Sequence, residues 1–476
     1  MSQEPTIIQG GMGSGVSNWR LARAVSERGQ LGVVSGTALD QILGWRLQDG
    51  DPGGHMRRAL AAFPIPAIAK RVLDLYFIEG GKAPGTGYKR IPMPLIDAPP
   101  SVRELTIAAN FVEVWLAKET HSNPVGINYL DKLQLHHLPA TYGAMLAGVD
   151  YVLMGAGIPL KYPAVLDAFA NHQPAAYPLN VTGAQAGDDV LMRLDPKDYL
   201  DRELPPLKRP KFLAIVASNT LAQTMLKKAN GRVDGLIVEG PTAGGHNAPP
   251  RGALQLSEKG EPVYGERDIV DLAKLAALGV PFWLAGGYGT AGKLREALAA
   301  GATGIQVGTA FAYCEESGLD PDARRTILAD VAAGKAHVFT DPLASPTGFP
   351  FKVVTLEGSN SEKEVYDARP RVCDLGYLRE AYRTPDGEIG YRCPAEPVTV
   401  YVSKGGTREE AEGRKCLCNG LMANISLPQM RGKYLERPLV TSGDGLEDLT
   451  RFLRPGSLSY SANDVLDTLL AAPAES

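Results

Sequence analysis

A chain of 476 residues exceeds what one ordinary hydrophobic core supports, so it must form either two domains or one barrel carrying large additions. With 21% charged residues and a formal net charge of −4, it has no electrostatic footprint for nucleic acid or anionic lipid, and small neutral ligands stay open. The opening MSQEPTIIQGG lacks a basic start followed by an apolar stretch, and no segment reaches the roughly 18 uninterrupted apolar residues of a spanning helix, which predicts a cytoplasmic protein with no membrane or nucleic-acid partner and leaves a homo-oligomer open.

Along the chain, short apolar runs end in Gly or small polar residues and are followed by Ala/Leu-rich helical patterns. In order they are Thr6 to Gln9, Gly32 to Ser35, Val125 to Asn128, Tyr151 to Met154, Phe212 to Ala217, Gly235 to Glu239, Phe282 to Ala285 and Gly304 to Val307. Parallel strands covered by helices read as continuous apolar runs, and eight strand-helix alternations close into a barrel. The pattern predicts an α/β fold, a TIM-type (β/α)8 barrel with a helical insertion after strand 2 and an extra C-terminal α+β region. Residues 1–340 are expected to form the barrel and 341–476 the C-terminal extension. The insertion is placed at about 40–105, because the gap from Gly36 to Pro124 exceeds one helix plus loops and contains GGKAPGTGYKRIPMPLIDAPP. It is expected to act as a lid or interface element. A second excess lies between Asn180 and Lys211 and includes GAQAGDD, and the extension opens with DPLASPTGFPF.

In such a barrel the chemistry sits at the C-terminal strand ends. The first run ends in IIQGGMGSGVSN, where Gly10, Gly11, Gly13 and Gly15 would let a flat ring lie against backbone and Met12 offers a polarizable contact. The alternative is a Gly-rich turn before a helix capped by Ser17 or Asn18. After the sixth run comes GLIVEGPTAGGHNAPPRG. Glu239 ends the strand, Gly244 and Gly245 permit close backbone approach, and His246 projects from a flexible loop. There it suits a general base or a donor to a substrate oxygen, or it is a loop histidine bonded to nearby backbone. The seventh and eighth runs end in LAGGYGTAGKLREALAAG and GIQVGTAF. Gly286 and Gly287 precede a helix starting near Ala291, and Gly308 and Thr309 repeat the arrangement one strand later. Main-chain N–H groups at two consecutive strand ends predict a phosphate site, the alternative being tight turns without a ligand.

Taken in order, QGGMGSGVS, LGVVSG, VGINYL, VEGPTAGGH and LAGGYGTAGKLREALAAGATGIQVGTAF resemble the nitronate monooxygenase family, which also contains the FabK-type and PfaD-type flavin enoyl reductases. The resemblance spans residues 6 to about 312 and implies a TIM barrel holding FMN. It implies that Asn128 in GINYL contacts FMN and that Gly245 of AGGH, with Gly244 beside it, lies near the phosphate. Gly286 and Gly287 correspond to the family's AGG glycines, and Gln306, Val307, Gly308 and Thr309 to its Q-x-G-T grip on phosphate and ribityl. Gly11 and Met12 correspond to the loop under the ring, and His246 to the histidine assigned to proton transfer. Two departures stand out: Gly11 occupies the place of a proline, and Tyr288 replaces a common aliphatic residue. The activity implied is an FMN-dependent oxidoreductase, a flavoprotein that oxidises a small substrate such as an alkyl nitronate with O2. One alternative is NAD(P)H-dependent reduction of an enoyl thioester or quinone. Another is a non-catalytic flavin-carrying partner subunit.

Of the five cysteines, Cys314 reads as a small buried hydrophobe. Cys373, Cys393, Cys416 and Cys418 crowd into the C-terminal region. In a reducing compartment four thiolates can close a zinc site or hold an iron–sulfur cluster, although C-x-C is tighter than the usual C-x2-C. Arg392, Arg414 and Lys415 would stabilise thiolates there or form a solvated basic face. Unligated structural cysteines are the alternative.

Overall fold

Each apolar run is a strand in the computed structural model of the chain, which describes residues 4–185 and 187–472. The first three residues of the opening segment and Ala186 of GAQAGDD lie outside the described residues. The strands are β1 (Ile7–Gln9), β2 (Gly32–Ser35), β3 (Val125–Leu130), β4 (Tyr151–Gly155), β5 (Lys211–Val216), β6 (Gly235–Glu239), β7 (Phe282–Ala285) and β8 (Gly304–Val307). Every neighbouring pair is parallel, with registers such as Ile127↔Val152, Ile215↔Ile237 and Leu284↔Ile305. β1 pairs with β8 through Ile7↔Ile305. It closes on β2 through a bridge of Ile8 to Leu31, where Gln9 N donates to Leu31 O at 2.9 Å and Leu31 N to Ile7 O at 3.0 Å. The fold is therefore the expected TIM barrel.

Side chains alternate across each strand, and here both faces are apolar. Ile8, Val33, Leu153, Leu213, Ile237 and Trp283 form a buried cluster of their own inside the barrel. Their neighbours Ile7, Val34, Val152, Phe212, Leu236 and Leu284 belong to the larger core beneath the helices. Trp283 is fully buried, with its indole N–H satisfied by Pro5 O at 2.8 Å. Emptying such a site costs about 3–5 kcal/mol. The first helix, Trp19–Glu27, is capped by Asn18, whose side chain accepts from Leu21 N. It crosses β2 so closely that a Cβ on Gly32 would stand 1.9 Å from Ala22 O.

After β2 come helices Leu39–Gln48, His55–Ala61 and Pro66–Tyr76, then the long helix Pro100–Lys118, whose apolar positions are buried along its length. The segment between Asn180 and Lys211 contributes to two small sheets. Leu191–Leu194 pairs with Ala175–Pro178, and Val181–Thr182 joins the hairpin Glu380–Arg383/Ile389–Arg392. The chain beyond β8 folds back over the barrel mouth. Strand Val338–Asp341 pairs with Phe351–Val354, helix Leu417–Ala423 and the 3-10 segment Asp444–Phe452 follow, and helix Ala462–Leu470 ends the described chain. A fully buried ion pair, Arg369 to Glu436, holds this region together, with Arg431 bonded to the same carboxylate. No helix among the described residues is long and apolar enough to cross a membrane.

Candidate functional site

The C-terminal ends of the strands surround a cavity of about 270 Å3. The residues expected to hold a cofactor line it, as do Gly10 and Gly13, but Gly15 does not. Gly11 and Met12 come from the loop after β1, Asn128 from β3, Gly244, Gly245 and His246 from the loop after β6, Gly286 and Gly287 from the end of β7, and Gln306, Val307, Gly308 and Thr309 from the end of β8. Gly286 and Gly287 hold φ of +83° and +75°, a left-handed pair that side chains other than glycine adopt only under strain. The next helix, Ala291–Ala299, starts at the residue expected and is capped by Thr290.

The loop after β1 meets β3 without room for a side chain. A Cβ on Gly11 would lie 2.4 Å from Asn128 Cβ, which accounts physically for glycine where a proline was expected. Asn128 Nδ2 donates to Gly11 O at 3.4 Å, leaving its Oδ1 buried without a partner among the described residues, and Gln306 Oε1 is left in the same condition. Buried amide oxygens normally find a donor, so two of them lining one cavity ask for a ligand that supplies N–H or O–H groups.

Glu239 and His246 share this space. Burial pushes the Glu239 carboxyl, at the tip of β6, up to about 7. Burial, with help from the Lys132 ammonium, pushes the His246 imidazole down to about 4. The ring is therefore neutral at pH 7, well below the operating-range value expected from its ordinary pKa. Its loop is also not flexible. His246 bridges to Phe351 as in a strand pair, Lys352 N donates to Gly245 O at 3.0 Å, Asn247 N donates to Pro350 O at 3.0 Å, and Ser345 Oγ lies 2.7 Å from His246 Nε2. The phenyl ring of Phe351 meets the imidazole edge-on at 4.9 Å.

Residues 203–338, which carry β5 to β8, His246 and both glycine-rich strand ends, match the family model described as nitronate monooxygenase. That segment is similar to the nitronate monooxygenase family. A probable nitronate monooxygenase of Bacillus subtilis is 35% identical over 132 residues, 26% of this chain and 36% of that protein. A nitronate monooxygenase of Pseudomonas aeruginosa is 34% identical over 137 residues, 29% of this chain and 37% of that protein. The matches thus span only about a third of these curated relatives' length. The solved structure of FabK from Thermotoga maritima superposes over 99% of this chain and 93% of its own, with a TM-score of 0.47 and 17% identity.

The chain beyond residue 338 forms the roof of the cavity, and motif reading did not find it. Gly245 N donates to Thr441 Oγ1 at 2.9 Å, Gly443 N to Thr309 Oγ1 at 3.0 Å and Asp444 N to Thr242 O at 3.0 Å. Leu378, Leu417 and Leu421 add apolar surface, and Arg451 reaches the same cavity. Tyr377 also lines it, donating its hydroxyl to Asp40 of the insertion and stacking on His136 at 4.7 Å. Thr37 and Ala38, just before the expected lid insertion, line the cavity, whereas the insertion itself contributes no lining residue and reaches the wall through the Asp40–Tyr377 bond.

The metal expectation gains no geometric support: among the described residues, no three His, Cys, Asp or Glu side chains are grouped to hold an ion. The expected basic neighbours bond elsewhere: Arg392 to Glu380, Arg414 to the carbonyl oxygens of Leu343 and Ser345, and Lys415 to Asn360 O. Cys314 is buried beside Phe311 O, as a small hydrophobe would be.

Proposed function

We infer that this chain is an FMN-dependent oxidoreductase that oxidises a small substrate of the alkyl nitronate class with O2. The observation that carries the reading is the pair of unpartnered amide oxygens, Asn128 Oδ1 and Gln306 Oε1, in one cavity with the left-handed Gly286–Gly287 turn. Those oxygens suit a ring and a polyol that both donate hydrogen bonds. The main-chain amides of Gly286, Gly287, Gly308 and Thr309 suit a phosphate, and the bare loop at Gly11 and Met12 suits a flat ring. Bound FMN would supply the electron acceptor and its reoxidation by O2.

The rest of the chemistry belongs to side chains of this chain. His246 is neutral at pH 7 and its Nε2 is occupied by Ser345, which leaves Nδ1 to accept a substrate proton or orient a substrate oxygen. Glu239, its carboxyl pushed up to about 7 by burial, can hold a proton near neutral pH and return it. Environments that push two titratable groups apart in this way divide acid and base duties between them. Leu130, Ile215, Phe351 and Leu421 line the walls and limit water. A second reading, NAD(P)H-dependent reduction of an enoyl thioester or quinone, is favoured by the apolar roof of Leu378, Leu417 and Leu421.

Anaerobic mixing of the flavin-loaded protein decides between them. Bleaching of the flavin bands by an alkyl nitronate, and not by NADH or NADPH, is the expected result; the reverse selects the reductase. A protein that stays yellow and turns over neither donor is a flavin-carrying subunit, and one that cannot be reconstituted with FMN ends the proposal altogether.

A further inference from the structure

The loop between strands Val338–Asp341 and Phe351–Val354 carries a line of polar groups that leads away from His246. His246 Nε2 lies 2.7 Å from Ser345 Oγ, which lies 2.9 Å from Thr347 Oγ1. Ser345 is fully buried, Thr347 is half-buried and Gly348 beside it is exposed, so three side chains run from the cavity wall toward water. The loop is held in that path. Arg414 Nη1 donates to Ser345 O at 2.6 Å, and Lys132 Nζ donates to Thr347 O at 3.1 Å while standing 3.5 Å from the centre of the Phe349 ring. Ser345 Oγ has one proton and two lone pairs, and Thr347 N donates to one of the lone pairs at 3.2 Å. Its remaining partners are His246 Nε2 and Thr347 Oγ1, so it accepts from one and donates to the other. Thr347 Oγ1 accepts from Phe349 N at 3.5 Å, meets Ser345 on its inner side and has one further hydrogen-bonding position, for solvent. The chain of hydroxyls is satisfied whether it points outward or inward.

We propose that Ser345 and Thr347 form a proton relay that joins His246 Nε2 to solvent. The relay rests on the reading of His246 as the proton-transfer group and adds the route by which its proton leaves. Neither hydroxyl residue lines the cavity, so both are positioning residues that act through the imidazole. Burial and the Lys132 ammonium hold that imidazole down to about 4, so at pH 7 the ring does not keep a second proton. A proton taken at Nδ1 is therefore matched by one lost at Nε2. The bond from hydrogen to the substrate atom breaks and an Nδ1–H bond forms. The Nε2 proton passes to Ser345 Oγ, the Ser345 hydroxyl proton to Thr347 Oγ1, and the Thr347 hydroxyl proton to water. One proton enters the chain, one leaves, and no charge stays on the ring. Both hydroxyls then point inward. When Nδ1 returns its proton to the product, the same chain carries one from water to Nε2 and the starting state is restored.

The first readout needs no turnover: NMR of the full chain carrying nitrogen-labelled histidine, with His246→Ala identifying the resonance. At pH 7 the ring should be protonated at Nε2 and bare at Nδ1, the tautomer that can take a proton from the cavity. The second uses the FMN-loaded chain and whichever donor bleaches it. Thr347→Val keeps the shape and removes the hydroxyl, so turnover should fall on the order of 10-fold with FMN affinity and melting temperature unchanged, and Thr347→Ser should restore it. If Thr347→Val does not fold, Ser345→Ala cuts the same chain at its first link and carries the same expectation. A ring protonated at Nδ1 overturns the relay, because that nitrogen could orient a substrate oxygen but not accept a proton. So does a Thr347→Val that turns over within a factor of two of wild type, or a Thr347→Ser as slow as Thr347→Val. His246→Ala separates these failures from failure of the reading beneath them. Wild-type turnover without the imidazole ends its proton-transfer role altogether, whereas a slow His246→Ala beside an unaffected Thr347→Val ends the relay alone.

Discussion

The cavity has two halves with different origins. Its floor comes from strand ends within the barrel, where each contributing residue lies a few positions beyond an apolar run. Its roof comes from the chain beyond β8, and its contacts bridge long separations: His246 to Ser345, Thr309 to Gly443, and Gly245 to Thr441. The floor offers backbone conformations that only glycine adopts easily, and the roof offers side chains that pin and dry the space. If this division is right, damage to the floor removes the ligand, and damage to the roof weakens it or slows the chemistry.

The largest effect is expected in the floor. Gly287→Val places a β-branched side chain at φ +75°, with a Cβ 3.3 Å from Thr242 Oγ1, in the turn proposed to hold the phosphate. Backbone strain of about 1–3 kcal/mol adds to the loss of the cradle, so FMN affinity should fall on the order of 100-fold. Fluorescence titration of the apoprotein measures this directly. Binding within a factor of two of wild type would place the phosphate elsewhere.

His246→Ala comes next and acts on rate rather than binding. Turnover should drop about 100-fold, the lower end of what a positioned proton-transfer group contributes, while the flavin stays bound. Loss of the flavin on gel filtration would instead make His246 a cofactor residue.

The same division explains what could be read from sequence. All eight strands were legible, because a strand buried on both faces is a continuous apolar run and a turn into a ligand site needs glycine. Gly286, Gly287 and Thr309 stood out for that reason. Ser345, Tyr377, Leu417 and Gly443 did not, since nothing about their local sequence says which strand end they cover; only the folded chain brings Gly443 N to Thr309 Oγ1. Glu239 was seen as a strand end but not as a titrating group. Its raised pKa comes from burial, and burial at the cavity depends on that same distant roof. The rigidity of the His246 loop was hidden for the same reason, because the residues that pin it, Pro350 to Lys352, lie about a hundred positions away.

The roof can be probed at two neighbouring glycines. A side chain at Gly443 would begin 2.8 Å from Thr309 Oγ1 and 2.9 Å from Thr242 O, whereas one at Gly445 meets nothing within 4 Å. Overpacking costs about 1–3 kcal/mol, so Gly443→Leu should weaken FMN binding roughly 10-fold, less than the floor substitution. Gly445→Ala, which adds only that Cβ, should leave it unchanged. Equal effects at the two positions would mean that the roof acts through its general stability and not through its contact with Thr309.

A last effect, read in stability and not in binding, tests whether the roof keeps Glu239 dry. Its folded carboxyl titrates at about 7, against an ordinary value of 4.5. Between those values the folded chain keeps a proton that the unfolded chain has released, so this group contributes stability that is full below about pH 4.5 and lost as pH rises through about 7. Glu239→Gln stays neutral throughout and escapes that loss. The melting temperature of the variant should therefore match wild type near pH 4.5, rise above it as pH increases, and hold a constant lead beyond pH 7. His246 slopes the other way, since its depressed pKa makes stability rise with pH between about 4 and its ordinary 6.5, but it is common to both proteins and cancels in the difference. A lead that is largest in acid, or absent at pH 8, would show Glu239 ionised and stabilised in the folded chain, and with it a roof that admits water to this carboxyl.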